Sequence, residues 1–312
     1  GIGERTAEYR ERVDVGVDET RSIEDNMMQG KLLALCELAA LVAVPCALAR
    51  DIGKIDFHWN FKQRAAQTLY EKKDYPGARE AAAALVATAP DERAKMENLA
   101  LQARCLAHEG QHEAAMEMAG RIDDKPLADC TRMEVFSIGT KPAELIAAFK
   151  DADLTPWPDG LAYKGFLFRG EAHAATENAQ AAIGDFERCA ERAGKDTQTT
   201  LESWNRVGAL HEKLKNQTAA LAAYGRVIEF CRASPGARGS HATYPGAISA
   251  SARILTAQKK PEEALAVLQR YDVSLSPSYG SRIVENIGDL QVTLGRKDQA
   301  LASYQEVLRM LA

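Results

Sequence analysis

The chain has 312 residues, a net charge of −5 and no block of lysine or arginine, which disfavours a nucleic-acid partner read through a basic surface. It is rich in alanine, 46% hydrophobic and 6% aromatic, the composition of an ordinary helical protein long enough to bury a large continuous core. Cys36, Cys46, Cys105, Cys130, Cys189 and Cys231 are scattered with no CxxC pair, so a disulfide framework is not expected. Reduced, buried thiols and a cytoplasmic location are.

Residues 1–58 form an N-terminal extension. Val13, Val15 and Val17 alternate with charged residues between Arg12 and Thr20, a pattern for a short strand or extended arm. Ile23 to Arg50 reads as helical, with an apolar run over Leu32–Ala49 broken by Glu37 and Pro45. A membrane span is not expected from so interrupted a run. A buried helix capping the segment from Trp59 onward is the expectation, with a signal-like sequence starting near Met27 as the alternative.

From Trp59 onward a unit of about 34 residues recurs, with starts near 59, 96, 163, 201, 245 and 281. The clearest copy begins at Leu201. It places Trp204, Val207, Gly208 and His211 on one face of a first helix, and Ala220, Tyr224 and Val227 on one face of a second. The copy from Tyr163 gives Phe166, Gly170, His173, Ala182, Phe186 and Cys189 at the same offsets, offset 7 excepted. The copy from Ser281 gives Ile287, Gly288, Ala300, Tyr304 and Val307. Small residues at offsets 8 and 20 let two helices approach; large ones at 4, 11 and 24 fill the space beside them.

Polar turns separate the paired helices at Lys73-Asp74, Gly110-Gln111, Glu177-Asn178, Lys215-Asn216, Lys259-Lys260 and Gly295-Arg296. Glycine ending one helix and proline starting the next are the expected signals. The gap between 96 and 163 holds a degenerate copy over 126–160, carrying Met133, Phe136, Leu145 and Phe149. Its tail, Leu154 to Gly160, contains two prolines and cannot be helical. Ala233 to Gly246, with Ser-Pro-Gly and Tyr-Pro-Gly, reads as an extended loop between repeats.

This pattern resembles the tetratricopeptide repeat over residues 59–312. The resemblance implies an all-α, right-handed superhelical solenoid of six or seven antiparallel helix hairpins with a concave groove. In that family the groove is lined by first-helix positions, which here fall on Arg64, Gln67, Arg104, Asn205, Arg206, Arg253 and Asn286. The four arginines suit carboxylates on an extended peptide or acidic helix. Some family members clamp a carboxylate with Lys at offset 5. Here that offset holds Gln63, Ala100, Leu167, Asn205, Ser249 and Glu285, so such a clamp is not supported.

His108-Glu109-Gly110-Gln111-His112 satisfies the H-E-x-x-H pattern of zinc peptidases. That chemistry needs both imidazoles on one unbroken helix, and Gly110 falls where the first helix must turn into the second. Glu134 is the candidate third ligand. His173 and His211 occupy packing offsets and read as core histidines. Asn216-Gln217-Thr218 is a glycosylation sequon on a turn, relevant only to a secreted chain. With no phosphate-binding, dinucleotide-binding or nucleophile-elbow signature, no cofactor and no catalysis are expected.

The expected function is a non-catalytic protein-interaction scaffold that binds a peptide or helix in its groove. One alternative is a substrate-recruiting or regulatory domain of a larger enzyme or assembly, suggested by the start at Gly1 and by the lack of a polar capping helix before Ala312. That uncapped end also suggests a homo-oligomer. A zinc peptidase is the remote alternative.

Overall fold

Residues 57–237 and 240–312 are described by a computed structural model; the expectations for residues 1–56, including Cys36 and Cys46, lie outside them. The chain divides into units of residues 1–60 and 61–312, and the second carries the repeats. Among the described residues fourteen α-helices follow one another with no strand. They are α1 (Phe57–Glu71), α2 (Tyr75–Ala87), α3 (Glu92–His108), α4 (His112–Gly120), α5 (Lys125–Ile138), α6 (Pro142–Phe149) and α7 (Asp159–Ala175). Then come α8 (Ala179–Arg192), α9 (Thr197–Lys213), α10 (Gln217–Ala233), α11 (Ser240–Ala257), α12 (Pro261–Gln269), α13 (Gly280–Thr293) and α14 (Lys297–Leu311).

These are seven hairpins, the degenerate copy included, and each turn is built the same way. A residue with left-handed backbone stands two positions before the second helix: Lys73, Gly110, Thr140, Glu177, Lys215, Lys259 and Gly295. Its N–H reaches back three residues, and the next N–H reaches back five, as Gln111 N to Leu106 O at 2.9 Å and Asn216 N to His211 O at 2.8 Å show. This pair of bonds satisfies carbonyls that a helix end leaves without partners. Glycine serves at only two of the seven turns, contrary to the expectation of a glycine stop. The hairpin is fixed by the double bond and by packing, strongly enough to impose left-handed geometry on five side-chain-bearing residues. Asp74, Asn178 and Asn216 follow directly and cap the second helices by accepting from Gly77 N, Ala181 N and Ala219 N.

The offsets 8 and 24 meet in space. A Cβ on Gly208 would lie 2.6 Å from Tyr224 Cε1, and one on Gly288 would lie 2.7 Å from Tyr304 Cε1. Second helices then pack on the first helix of the following hairpin, as α8 does on α9 and α10 on α11. The result is a continuous core around Phe186, Leu201, Tyr224, Ile248 and Leu268. No helix among the described residues is long and apolar enough to cross a membrane.

Two irregular stretches were expected. The expected non-helical tail is shorter than 154–160, since Asp159 and Gly160 already open α7 after Pro158. Residues 154–158 are non-helical, yet they are core, with Leu154 and Trp157 buried against the Gly165 position of α7. The long loop at 233–246 is corrected. Helix α11 already begins at Ser240 and runs through Pro245. Tyr244 explains the override, since its ring is wholly buried. Its hydroxyl donates to Arg270 O at 3.0 Å and accepts from Asp272 N at 3.1 Å. Burial and two hydrogen bonds outweigh the helix bond that proline cannot make.

Candidate functional site

First helices pack on first helices, α3 on α5, α5 on α7 and α9 on α11, and their free face is where the candidate residues stand. Three of the four arginines are already engaged. Arg206 Nη1 lies 3.0 Å from Glu171 Oε1, which bridges α9 to α7. Arg253 Nη2 donates to Glu212 Oε2 at 2.6 Å, and Glu212 Oε1 accepts from the Tyr224 hydroxyl at 2.7 Å. Arg104 Nε stands 3.9 Å from Glu134 Oε2 and donates to Ala100 O at 3.3 Å. Arg64 is exposed and makes no ion pair among the described residues.

Arg104, Arg206 and Arg253 therefore form a ladder that ties neighbouring hairpins together. Burial raises the Glu171 carboxyl above its ordinary range even though the Arg206 guanidinium pulls it down. Glu212, at offset 12 of its repeat, was missed by the sequence reading; only the pairing with Arg253 marks it out.

The face carries two separate recesses. The larger, about 780 Å³, opens between α11 and α13 over a floor of Ala250, Ala252, Leu268 and Leu290. Arg253, Arg282, Asn286 and Asp289 line it above that floor. Arg282 makes no ion pair among the described residues, whereas Asp289 accepts from the Tyr304 hydroxyl at 2.8 Å. The smaller, about 360 Å³, lies among α1, α3, α5 and α7 and is walled by polar groups, including Gln67 and Arg104. Asn205 is half-buried on α9 and lines neither recess.

The H-E-x-x-H residues go to different neighbours. The His108 ring stacks on Tyr75 with centroids 4.2 Å apart, and its Nε2 is 3.1 Å from the Tyr70 hydroxyl. Glu109 holds Arg79 Nε at 3.0 Å. Gly110, left-handed at φ 79°, ends the helix, and the His112 ring faces Gly139 in the next hairpin. No group of three metal-ligating side chains stands together among the described residues. His173 is buried, and His211 is half-buried. Cys105, Cys130, Cys189 and Cys231 are buried free thiols, and burial pushes them up to about 11 or, for Cys130, about 12.

Residues 281–310, which span the hairpin α13–α14, match the family model described as Tetratricopeptide repeat. That hairpin is therefore similar to the tetratricopeptide repeat, and the described residues around it are likewise helical hairpins. No curated protein matches it in sequence. Among solved structures it is similar to MamA, at 14% identity over 66% of this chain and 91% of that one, with a TM-score of 0.38. It is similar to BtubC from P. vanneervenii at 12% identity over 82% and 91%, with a TM-score of 0.41. A tetratricopeptide repeat protein from Parabacteroides merdae is similar at 11% identity over 81% and 93%, with a TM-score of 0.36.

Proposed function

We propose that the chain is a non-catalytic interaction scaffold whose α11–α13 recess takes a short peptide or helix segment of a partner protein. The observation that carries this reading is the recess itself, about 780 Å³ with an apolar floor and the guanidinium of Arg282 at its wall. Apolar contacts supply affinity in such a site, and charge sets register. Arg282 favours a segment with an acidic residue beside its apolar anchor, while Asn286 is suited to a backbone amide.

Filling the recess tests the reading. A peptide selected from a random library on the wild-type protein should lose at least tenfold in affinity against Ser249→Trp, whose side chain would occupy the recess. Unchanged binding would place the peptide elsewhere.

Self-association is part of the same proposal. Leu301, Leu308 and Leu311 of α14 are 59%, 69% and 70% exposed, and an apolar stripe of that kind favours contact with a second copy. Sedimentation equilibrium should give a dimer that Leu308→Glu returns to monomer; a wild-type monomer at high concentration contradicts it. A reducing, cytoplasmic location stays a proposal that rests on the sequence alone.

A further inference from the structure

We propose that the polar recess among α1, α3, α5 and α7 is a second binding site, taking a small zwitterion of the free α-amino-acid class. This inference does not depend on the peptide reading. The recess, about 360 Å³, falls within the range of small-molecule pockets, roughly 300–1,000 Å³.

Its wall contains Asn98, which is only 1% exposed. The Asn98 side-chain Nδ2 donates to Ala94 O at 2.8 Å, so the amide orientation is fixed. Its Oδ1 is left buried with no hydrogen-bond partner. Buried acceptors in that condition are rare in folded proteins, and this one lies in the wall beneath the accessible surface of the recess.

Charges of both signs surround this acceptor. Lys164, half-buried on α7, lines the recess and makes no ion pair among the described residues. Arg104 and Glu134 line it as well, and their 3.9 Å separation is too long for a hydrogen bond. Each therefore keeps bonding capacity for a third party. Lys164 and Arg104 can receive a carboxylate, while Glu134 can receive an ammonium.

The charge balance selects the ligand. A simple anion would face Glu97 and Glu134, and a simple cation would face Lys164 and Arg104, in surroundings where burial amplifies the repulsion. The middle of a peptide brings neither charge. A free amino acid brings both on adjacent atoms, in a volume the recess can hold.

Titration calorimetry of the whole chain with each free proteinogenic L-amino acid tests this. At least one should bind one-to-one with a Kd below about 1 mM. Its N-acetyl and amide derivatives, each lacking one charge, should bind at least tenfold more weakly. Lys164→Gln, at a half-exposed position, should keep native helicity and also lose at least tenfold.

No saturable heat with any amino acid would overturn the proposal. So would equal binding of the blocked derivatives, or undiminished binding to Lys164→Gln. The titration contains no peptide, and the Lys164→Gln arm assigns the heat to this recess, so its failure leaves the α11–α13 reading standing, and the reverse holds.

Discussion

The glycine at position 208 exists to make room for the ring of Tyr224. A Cβ at 208 would fall 2.6 Å from Cε1 and 2.8 Å from Cδ1 and Cζ of that ring. The obstacle is a rigid buried ring whose hydroxyl is tied to Glu212. Gly208→Ala should therefore destabilise the fold by about 1–3 kcal/mol through overpacking. Gly225→Ala, with nothing within 4 Å of its Cβ, should be neutral or stabilising by up to about 1 kcal/mol. Urea unfolding of the two variants reads the difference; equal effects would contradict the account.

Arg169 holds Asp185 with two hydrogen bonds, Nε to Oδ2 at 2.9 Å and Nη2 to Oδ1 at 2.8 Å. Its Nη1 also donates to Phe149 O, at the end of α6, and to Ala152 O in the segment that follows. Both side chains are buried. Arg169→Met would leave a buried carboxylate without its counter-ion and should cost about 3–5 kcal/mol. Adding Asp185→Leu should restore much of that loss. A double variant no better than the single would show that packing, not the charge, was at stake.

His173 stands beside this pair, with Nε2 4.0 Å from Asp185 Oδ2. Burial, and secondarily the Arg169 guanidinium, lower its proton affinity, while Asp185 raises it; burial prevails, so the ring titrates below its ordinary 6.5. The unfolded chain thus binds the proton first. As pH falls from about 6.5 toward the lower native value, the unfolded state gains and stability drops. His173→Phe should flatten that part of the stability–pH profile. An unchanged slope between pH 7 and 5 would assign the acid sensitivity elsewhere.

Thr140 adopts φ 52° in the turn between α5 and α6, an unfavourable geometry for a β-branched residue. Thr140→Gly relieves it at the expense of unfolded-state entropy, for a net gain of up to about 1 kcal/mol. Gly110→Ala, at φ 79°, should lose a similar amount. Melting temperatures that move together in one direction would contradict this.

The repeat register was legible in the sequence because the constraint is local and stated twice: glycine at offset 8 and an aromatic ring at offset 24 require each other. The same register exposed the oddity at offset 7 of the Tyr163 copy, where Arg169 replaces the apolar residue found at Val207 and Ile287. Its partner, Asp185, sits on the following helix and was not evident. Tyr244 was hidden by Pro245 and Gly246, since a breaker signal reports backbone preference and not the burial that overrides it.

Arg64, Arg104, Arg206 and Arg253 stand on the first helices α1, α3, α9 and α11. That Arg206 and Arg253 would be spent on Glu171 and Glu212 depends on the stacking of neighbouring repeats, which no single repeat reveals. The pairing also decides how the groove should be probed. Reversing Arg206 or Arg253 would set like charges against each other and strain the fold, whereas Arg282 makes no ion pair among the described residues.

A charge swap at Arg282 decides whether the α11–α13 recess receives an acidic segment. A library-selected peptide should bind the wild type one-to-one, bind Arg282→Glu at least tenfold more weakly, and recover when its acidic residue is replaced by lysine. Binding of the original peptide to Arg282→Glu with undiminished affinity would contradict the account.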